Sequence, residues 1–163
     1  LGHLAATEVL LDADADATLR FGWKTLTAIE WAASKGHAGV VQSLIRQGVD
    51  VNAAGPTGMT TLHEAAREDN VDVVEYLLDA GANADPQCKS GITPLHLASW
   101  NRAPRVTLAL LKRGANVALR DKTGCTPLHR GAIKAREHGA TECVYLMLRW
   151  GADENAVDNK GQT

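Results

Sequence analysis

Residues 93–99 read Thr-Pro-Leu-His-Leu-Ala-Ser, and closely similar stretches occur at three other places in the chain. The counterparts occupy residues 27–33, 60–66 and 126–132, and each copy begins 33 residues after the one before it. A fixed period of this length is typical of solenoids, in which each repeat is one supersecondary unit stacked on its neighbours. The self-similarity therefore predicts the architecture before any single residue is considered.

A second signature follows each copy of the first. In one unit it consists of Val73, Val74, Leu77 and Leu78, followed by Gly81. The spacing of the apolar residues predicts a short helix that buries one face. The glycine predicts a left-handed residue that ends this helix.

The first signature carries the marks of a helix start. Thr93 and Thr126 are suited to cap a helix N terminus, and Pro94 and Pro127 then take the first helical position. The small and apolar residues that follow are spaced to bury one face. Each unit is therefore predicted to be a pair of short helices, and glycine-containing turns lead into the next unit.

The motif Thr-Pro-Leu-His-x-Ala at this period resembles the signature of the ankyrin repeat family. The resemblance covers nearly the whole chain. It implies an all-α solenoid of stacked antiparallel helix pairs, with turn or β-hairpin fingers projecting from one side. On this alignment residues 1–163 form a single ankyrin-repeat domain. Its units are a partial repeat at 1–21, full repeats at 22–54, 55–87, 88–120 and 121–157, and the start of a further repeat at 158–163.

Two departures from the period lead to further expectations. The last full unit is four residues longer than the others, around residues 135–138. This insertion predicts a longer first helix or a longer loop between the helices. The sequence also starts and stops inside a unit, and neither end has the polar repeat that caps a solenoid. We therefore expect these residues to be part of a longer solenoid.

Composition narrows the classes of function. The chain is 45% hydrophobic and 22% charged, which is ordinary for a globular protein, and its net charge of −2 argues against a globally basic nucleic-acid binder. Its apolar runs are too short for a membrane span. The odd number of cysteines (Cys88, Cys125 and Cys143) argues against a disulfide scaffold and predicts a reducing compartment, cytoplasmic or nuclear.

Sequence motifs for catalysis and metal binding are either incomplete or missing from this chain. His63 and Glu64 resemble the start of a zinc-protease helix motif, but Arg67 stands where the second histidine is required. His63, His96 and His129 recur with the repeat, and the resemblance implies that each imidazole hydrogen-bonds neighbouring backbone. The sequence has no phosphate-binding loop and no nucleophile elbow. We therefore expect no enzyme activity, no metal, no cofactor and no small-molecule substrate.

The resemblance implies that a partner binds across the finger tips and the exposed face of the first helices. Exposed large apolar side chains in a row favour an interface, and tryptophan is a frequent anchor. We expect Trp100 and Ile92 to anchor a protein or peptide partner. The candidate partner-binding residues are Trp23, Met59, Arg67, Lys89, Ile92, Trp100, Asn101, Ile133 and Lys134.

Basic residues outnumber acidic ones in this row. Among the finger-tip and exposed first-helix positions, Glu68 is the one acidic residue. Cys125 also occupies one of these positions and is expected to be exposed. Trp150 lies on the opposite side of the repeats, with the second helices, and is expected to pack against neighbouring residues. The bias favours an acidic or phosphorylated segment of the partner, although lysine near the finger glycine is also a common feature of the family. The basic residues are Lys24, Lys35, Arg67, Lys89, Lys122, Lys134 and Lys160.

Other interpretations stay open. The repeats would also suit a structural or regulatory segment of a larger protein, such as an enzyme or channel, that packs within its own chain. Binding of nucleic acid or phosphoinositide is a third interpretation, which a steep salt dependence would support. Asn52, preceded by Asp50 and Val51 and lying eight residues after Leu44, resembles the pattern that an oxygen-sensing asparaginyl hydroxylase uses on ankyrin repeats. The alternative is that Asn52 is a turn residue that bonds its own loop.

Overall fold

The computed structural model describes residues 26–139 and 141–163, apart from the side chain of His138. First helices pack on the first helix of the next pair, and second helices pack on the next second helix. This arrangement is the all-α repeat solenoid that the sequence predicts. The helices of the described ranges are α1 (Ala28–Ser34), α2 (Ala38–Arg46), α3 (Thr61–Arg67), α4 (Val71–Asp79), α5 (Pro94–Trp100), α6 (Pro104–Lys112), α7 (Pro127–His138) and α8 (Glu142–Arg149).

The predicted helix starts are confirmed. The Thr93 hydroxyl accepts a hydrogen bond from the backbone N–H of His96, and Thr126 does the same for His129. Pro94 and Pro127 are the first residues of α5 and α7. The cap satisfies a backbone donor that has no partner inside the helix, which is why threonine recurs at this position.

The predicted helix ends are confirmed as well. Gly81, just beyond α4, has φ of 89°, and the other glycines of the second signature also have positive φ. The N–H of Gly81 donates to Leu78, and the N–H of Ala82 donates to Leu77 at 2.9 Å. This pair of bonds closes the helix and requires the left-handed backbone that glycine adopts without steric cost.

The first helix of the fourth pair is longer than its counterparts. α7 has 12 residues, whereas α1, α3 and α5 have 7 each. It ends at Gly139, which has φ of 72°. Of the two alternatives that the insertion left open, a longer first helix or a longer loop, the structure has the longer helix. The additional turn extends α7 beyond the row of first helices.

A finger precedes each of α3, α5 and α7, and another follows α8. Each is a tight turn closed by a backbone bond between its first and last residues, such as Cys88 to Ile92 at 3.0 Å and Asp121 to Cys125 at 2.9 Å. Neighbouring fingers are also bonded, since the N–H of Lys122 donates to the carbonyl of Ser90. The fingers are residues 55–59, 88–92, 121–125 and 158–162.

The recurring histidines join the units. Nε2 of His63 lies 3.0 Å from the carbonyl oxygen of Ile92, Nε2 of His96 lies 3.0 Å from that of Cys125, and His129 reaches Gln162 at 3.2 Å. Nδ1 of each ring accepts from the backbone N–H of the capping threonine. Each ring therefore ties one helix start to the last residue of the next finger. The predicted structural role is confirmed.

One apolar core runs between the first and second helices. Its largest members are fully buried, and each pair contributes to the same continuous cluster. Burial of these side chains is the main source of stability, because each helix is too short to persist alone. They include Leu44, Leu62, Leu77, Leu95, Leu110 and Met147.

Candidate functional site

The surface formed by α1, α3, α5, α7 and the fingers, here called the first-helix face, carries an open pocket of about 180 Å³. Leu97 and Trp100 lie three residues apart on α5, so they share one face of that helix. Ile92 reaches the same place from the end of the preceding finger. His96 and Arg130 complete the lining.

Trp100 forms the rim of the pocket and lies beside two cations. Its side chain is 37% exposed. Nζ of Lys134 lies 4.2 Å from the ring centroid, and the guanidinium carbon of Arg130 lies 5.7 Å from it. Arg130 and Lys134 are one turn apart on α7, so the same helix face presents both. These cation–π contacts fix the indole while leaving part of it in solvent.

Arg130 was not among the sequence-predicted site residues, and its charge is already paired. Its Nε donates to the carboxylate of Asp121 at 3.0 Å, and its Nη2 forms a second ion-pair contact with the same group. Burial alone would raise the pKa of Asp121, but hydrogen bonds from Thr123 and Arg130 outweigh it and hold the pKa below its ordinary value. Arg130 therefore braces its own finger and packs on Trp100.

The predicted cations of this face differ in their surroundings. Arg67 is paired with Glu64, and its Nε donates to Glu68 at 3.2 Å. Lys134 donates to Glu137 at 2.6 Å. Lys89 is exposed at a finger tip. The charges of Arg67 and Lys134 are thus largely balanced locally, and the finger lysine is the more available of the three for an acidic group.

The remaining predicted residues are distributed along the first-helix face. Ile133 is 41% exposed, whereas Met59 and Ile92 are half-buried. Asn101 is exposed, and its amide donates to the carbonyl of Leu97 at 2.9 Å, which caps α5. Trp23 lies outside the described residues. The structure brings Ile92, Trp100 and Lys134 together at one pocket.

Two burial expectations are wrong. Cys125, expected to be exposed, is 7% exposed, because it ends its finger beneath the start of α7 and His96 binds its carbonyl oxygen. Trp150, expected to pack, is 40% exposed just beyond α8. Trp150 is therefore a tryptophan of similar exposure to Trp100 that lies outside the pocket.

Asn52 makes different contacts from those expected of a turn residue. Its Nδ2 donates to the carbonyl of Gly81 at 3.3 Å, and its Oδ1 accepts from the N–H of Asn83 at 2.9 Å. The bond within its own loop is supplied by Asp50, which accepts from the N–H of Asn52. The expectation that the Asn52 side chain bonds its own loop is wrong, since its amide joins two successive units.

Within residues 26–139 and 141–163, no three histidine, cysteine, aspartate or glutamate side chains are grouped so that they would hold a metal ion. None of the helices in that part of the chain has the length and apolarity needed to cross a membrane.

Comparison with known families agrees with the observed repeat. The family model described as Ankyrin repeats (3 copies) matches residues 1–88, 29–121 and 80–158. No curated protein matches the chain.

Proposed function

Because the chain belongs to the ankyrin repeat family, whose repeats are generally protein–protein interaction modules, we propose that it is a protein-binding module without catalysis of its own. The partner is a protein or peptide that lies across the first-helix face. It takes no cofactor and no small-molecule substrate. The three free cysteines suit a reducing compartment, cytoplasmic or nuclear.

The observation that carries this proposal is the pocket at Trp100. Ile92 and Leu97 give it an apolar lining, and the indole stands partly in solvent at its rim. Repeat stacking buries the core leucines without any need for a tryptophan at this edge. A tryptophan beside a small apolar pocket is the typical anchor of a protein interface. In this proposal Trp100 and Ile92 anchor the partner.

The finger lysines favour a partner that carries acidic residues. Lys89 and Lys122 are exposed on neighbouring fingers that bond to each other through their backbones. They are therefore held on successive fingers, the first of which ends at the pocket residue Ile92. Arg67 and Lys134 act mainly through their packing, because each already has a carboxylate partner. An apolar side chain flanked by acidic residues fits this arrangement.

The test is a selection of peptides on the native chain, followed by calorimetry of the selected peptides with variants. Ile92→Ala/Trp100→Ala weakens binding by about tenfold or more, since truncation of hot-spot residues typically costs about 2 kcal/mol or more. Trp150→Ala is the matched control and leaves the affinity unchanged. Equal peptide affinity of the native and the doubly substituted chain would contradict the proposal.

A second candidate is packing within a larger chain, which one apolar surface favours. Leu128, Ala132, Val144 and Leu148 line a pocket of about 180 Å³ beside α7 and α8, and Leu148 is 39% exposed. A further structural element of the same polypeptide would cover this surface. In that case Leu148→Lys lowers binding of the selected peptides, and the Trp100 variant has no effect.

Hydroxylation of Asn52 is a separate proposal. The residue is exposed, but its amide is engaged by Gly81 and Asn83, so modification requires a local opening of these inter-unit bonds. Mass spectrometry of the protein from its native cells tests this. A peptide with one added oxygen at Asn52 supports the proposal, and a fully unmodified peptide contradicts it for those cells.

A further inference from the structure

The surface formed by α2, α4, α6 and α8, here called the second-helix face, changes character along the solenoid. The outward position that holds Gln42 in α2 and Glu75 in α4 holds Leu108 in α6 and Tyr145 in α8. Tyr145 is 60% exposed, more than any other large hydrophobic residue of the described chain. The repeat therefore tolerates polar residues at this position, and its fold does not require the apolar pair.

Leu108 and Tyr145 line a groove between α6 and α8. The groove has a volume of about 470 Å³. Pro104 and Leu146 add to its apolar lining, and Leu146 is half-buried. An apolar groove of this kind, open to solvent on an otherwise polar face, is a mark of an interaction site.

Positively charged side chains outnumber acidic ones in and beside this groove. Arg105 lines it directly, and the guanidinium carbon of Arg149 lies 5.8 Å from the centroid of the Tyr145 ring. Lys112 lies one turn after Leu108 on α6, on the same face of that helix. Glu142 is the acidic residue in the groove lining.

The charge of α4 is opposite to that around this groove. Its outward residues include Asp72, Glu75 and Asp79, and Asp79 is paired with Arg113 at 2.7 Å. Arg113 is thus committed to the junction between α4 and its neighbour. Arg46 of α2 is also exposed at the position equivalent to Lys112, but it has the polar Gln42 one turn before it, whereas positive charge and an apolar pair coincide at the groove.

We propose that this groove is a second docking site, separate from the first-helix face, for an acidic amphipathic segment of a partner protein. Apolar side chains of that segment fill the space between Leu108 and Tyr145. Its carboxylates meet Arg105, Lys112 and Arg149. A protein segment is the occupant that we favour, because its apolar side chains and its carboxylates can meet the apolar lining and the three cations at the same time.

The test uses a library of fluorescent acidic amphipathic peptides and a matched library in which lysine replaces each acidic residue. Native protein binds members of the acidic library saturably, and the affinity falls as salt rises. Leu108→Gln/Tyr145→Gln installs the residue that α2 carries at this position. It lowers the affinity by at least about tenfold, as expected for loss of interface anchors. The circular dichroism spectrum and thermal midpoint show that this variant is folded.

Ile92→Ala/Trp100→Ala separates the two surfaces, because it leaves binding at the groove unchanged whatever happens at the first-helix face. Amide shifts caused by the bound peptide cluster on α6 and α8. The proposal is overturned if no acidic peptide binds, if the glutamine variant binds equally, or if the lysine library binds as well. It is also overturned if Leu108 and Tyr145 instead govern binding to phosphatidylserine vesicles or self-association of the chain.

Discussion

The fingers at residues 88–92 and 121–125 have the same backbone hydrogen bonds but different side chains at their first position. Oδ1 of Asp121 accepts from the N–H groups of Thr123 at 2.8 Å and Cys125 at 3.2 Å. Asp158 plays the same part in finger 158–162, where it accepts from Lys160 and Gln162. Finger 88–92 has Cys88 at this position, and a thiol does not replace a carboxylate as a multiple acceptor.

The first helices that follow these two fingers differ in a matching way. The Asp121 carboxylate is bound by Arg130 of α7, and the equivalent position of α5 holds Leu97. One unit therefore braces its finger with a buried ion pair. The other has neither member of that pair, and its Leu97 lines the pocket instead. The comparison shows that the candidate binding pocket is centred on the unit that lacks this polar brace.

The largest effect is expected from Asp121→Ala. The substitution leaves Arg130 without its carboxylate and removes the acceptor of two backbone donors of the finger, so unfolding becomes easier by about 3 kcal/mol. Cys88→Ala is the matched control at the equivalent position and changes stability by less than about 1 kcal/mol. Urea unfolding of both variants measures the difference. Equal destabilisation would break the comparison.

Acid weakens the attachment of finger 88–92 through His63. Burial lowers the pKa of His63 to about 4, from an ordinary value of 6.5. The unfolded chain therefore binds a proton near pH 6.5, and the folded chain does not do so until about pH 4. Between these values stability falls as pH falls, by about 2 kcal/mol at about pH 5 from this residue.

The proton resonance of the His63 ring tests this pH dependence together with urea unfolding at several pH values. A His63 ring that titrates near its ordinary pKa while the chain is folded would contradict the assignment. Burial also lowers the pKa of His96, and its hydrogen bond to the Cys125 carbonyl and the charge of Asp121 oppose that effect, whereas the charge of Arg130 adds to it.

A double-mutant cycle transfers the brace from one unit to the other. In Cys88→Asp/Leu97→Arg the new carboxylate and guanidinium adopt the geometry of Asp121 and Arg130, and their coupling energy is about 1–2 kcal/mol. The arginine also occupies the pocket beside Trp100 and abolishes binding of the selected peptides. Stability and affinity thus change in opposite directions. Tight binding by the double variant would contradict the account of the pocket.

Cys88→Asp alone has the smallest effect. The carboxylate gains hydrogen bonds from the backbone N–H groups of Ser90 and Ile92, as Asp121 does in its own finger, which stabilises the chain by about 1 kcal/mol. The thermal midpoint rises, and peptide binding at Trp100 is retained because Leu97 still lines the pocket. A lower midpoint would show that the two fingers differ in more than this side chain.

The fold could be predicted from the sequence because its rules act within one unit. The threonine caps, the prolines and Gly81 each obey a requirement of the backbone within a few residues. A count of residues located the insertion near α7 but did not decide between a longer helix and a longer loop. Because the repeat is periodic, these local rules apply to every unit. The family resemblance then placed Ile92 and Trp100 on the surface where a partner is expected to bind.

Apart from the histidine bonds, which the family resemblance implies, the contacts between units could not be read from the sequence. The packing of Arg130 on Trp100 and the bonds from Asn52 to Gly81 and Asn83 depend on how adjacent units stack. The available sequence signal for the contact of Arg130 with Trp100 was its position one turn before Lys134, which places both side chains on the same face of α7. The exposure of Trp150 had a signal too, since its counterparts in the repeat include the charged residue Arg113.

The central claim is that a partner binds at Trp100, and the indole N–H resonances of the tryptophans test it most directly. During titration with a selected peptide, the Trp100 indole resonance is expected to shift with the dissociation constant that calorimetry gives, while the Trp150 indole stays in place. A Trp100 indole that does not move at saturation, with the peptide bound, would contradict the account.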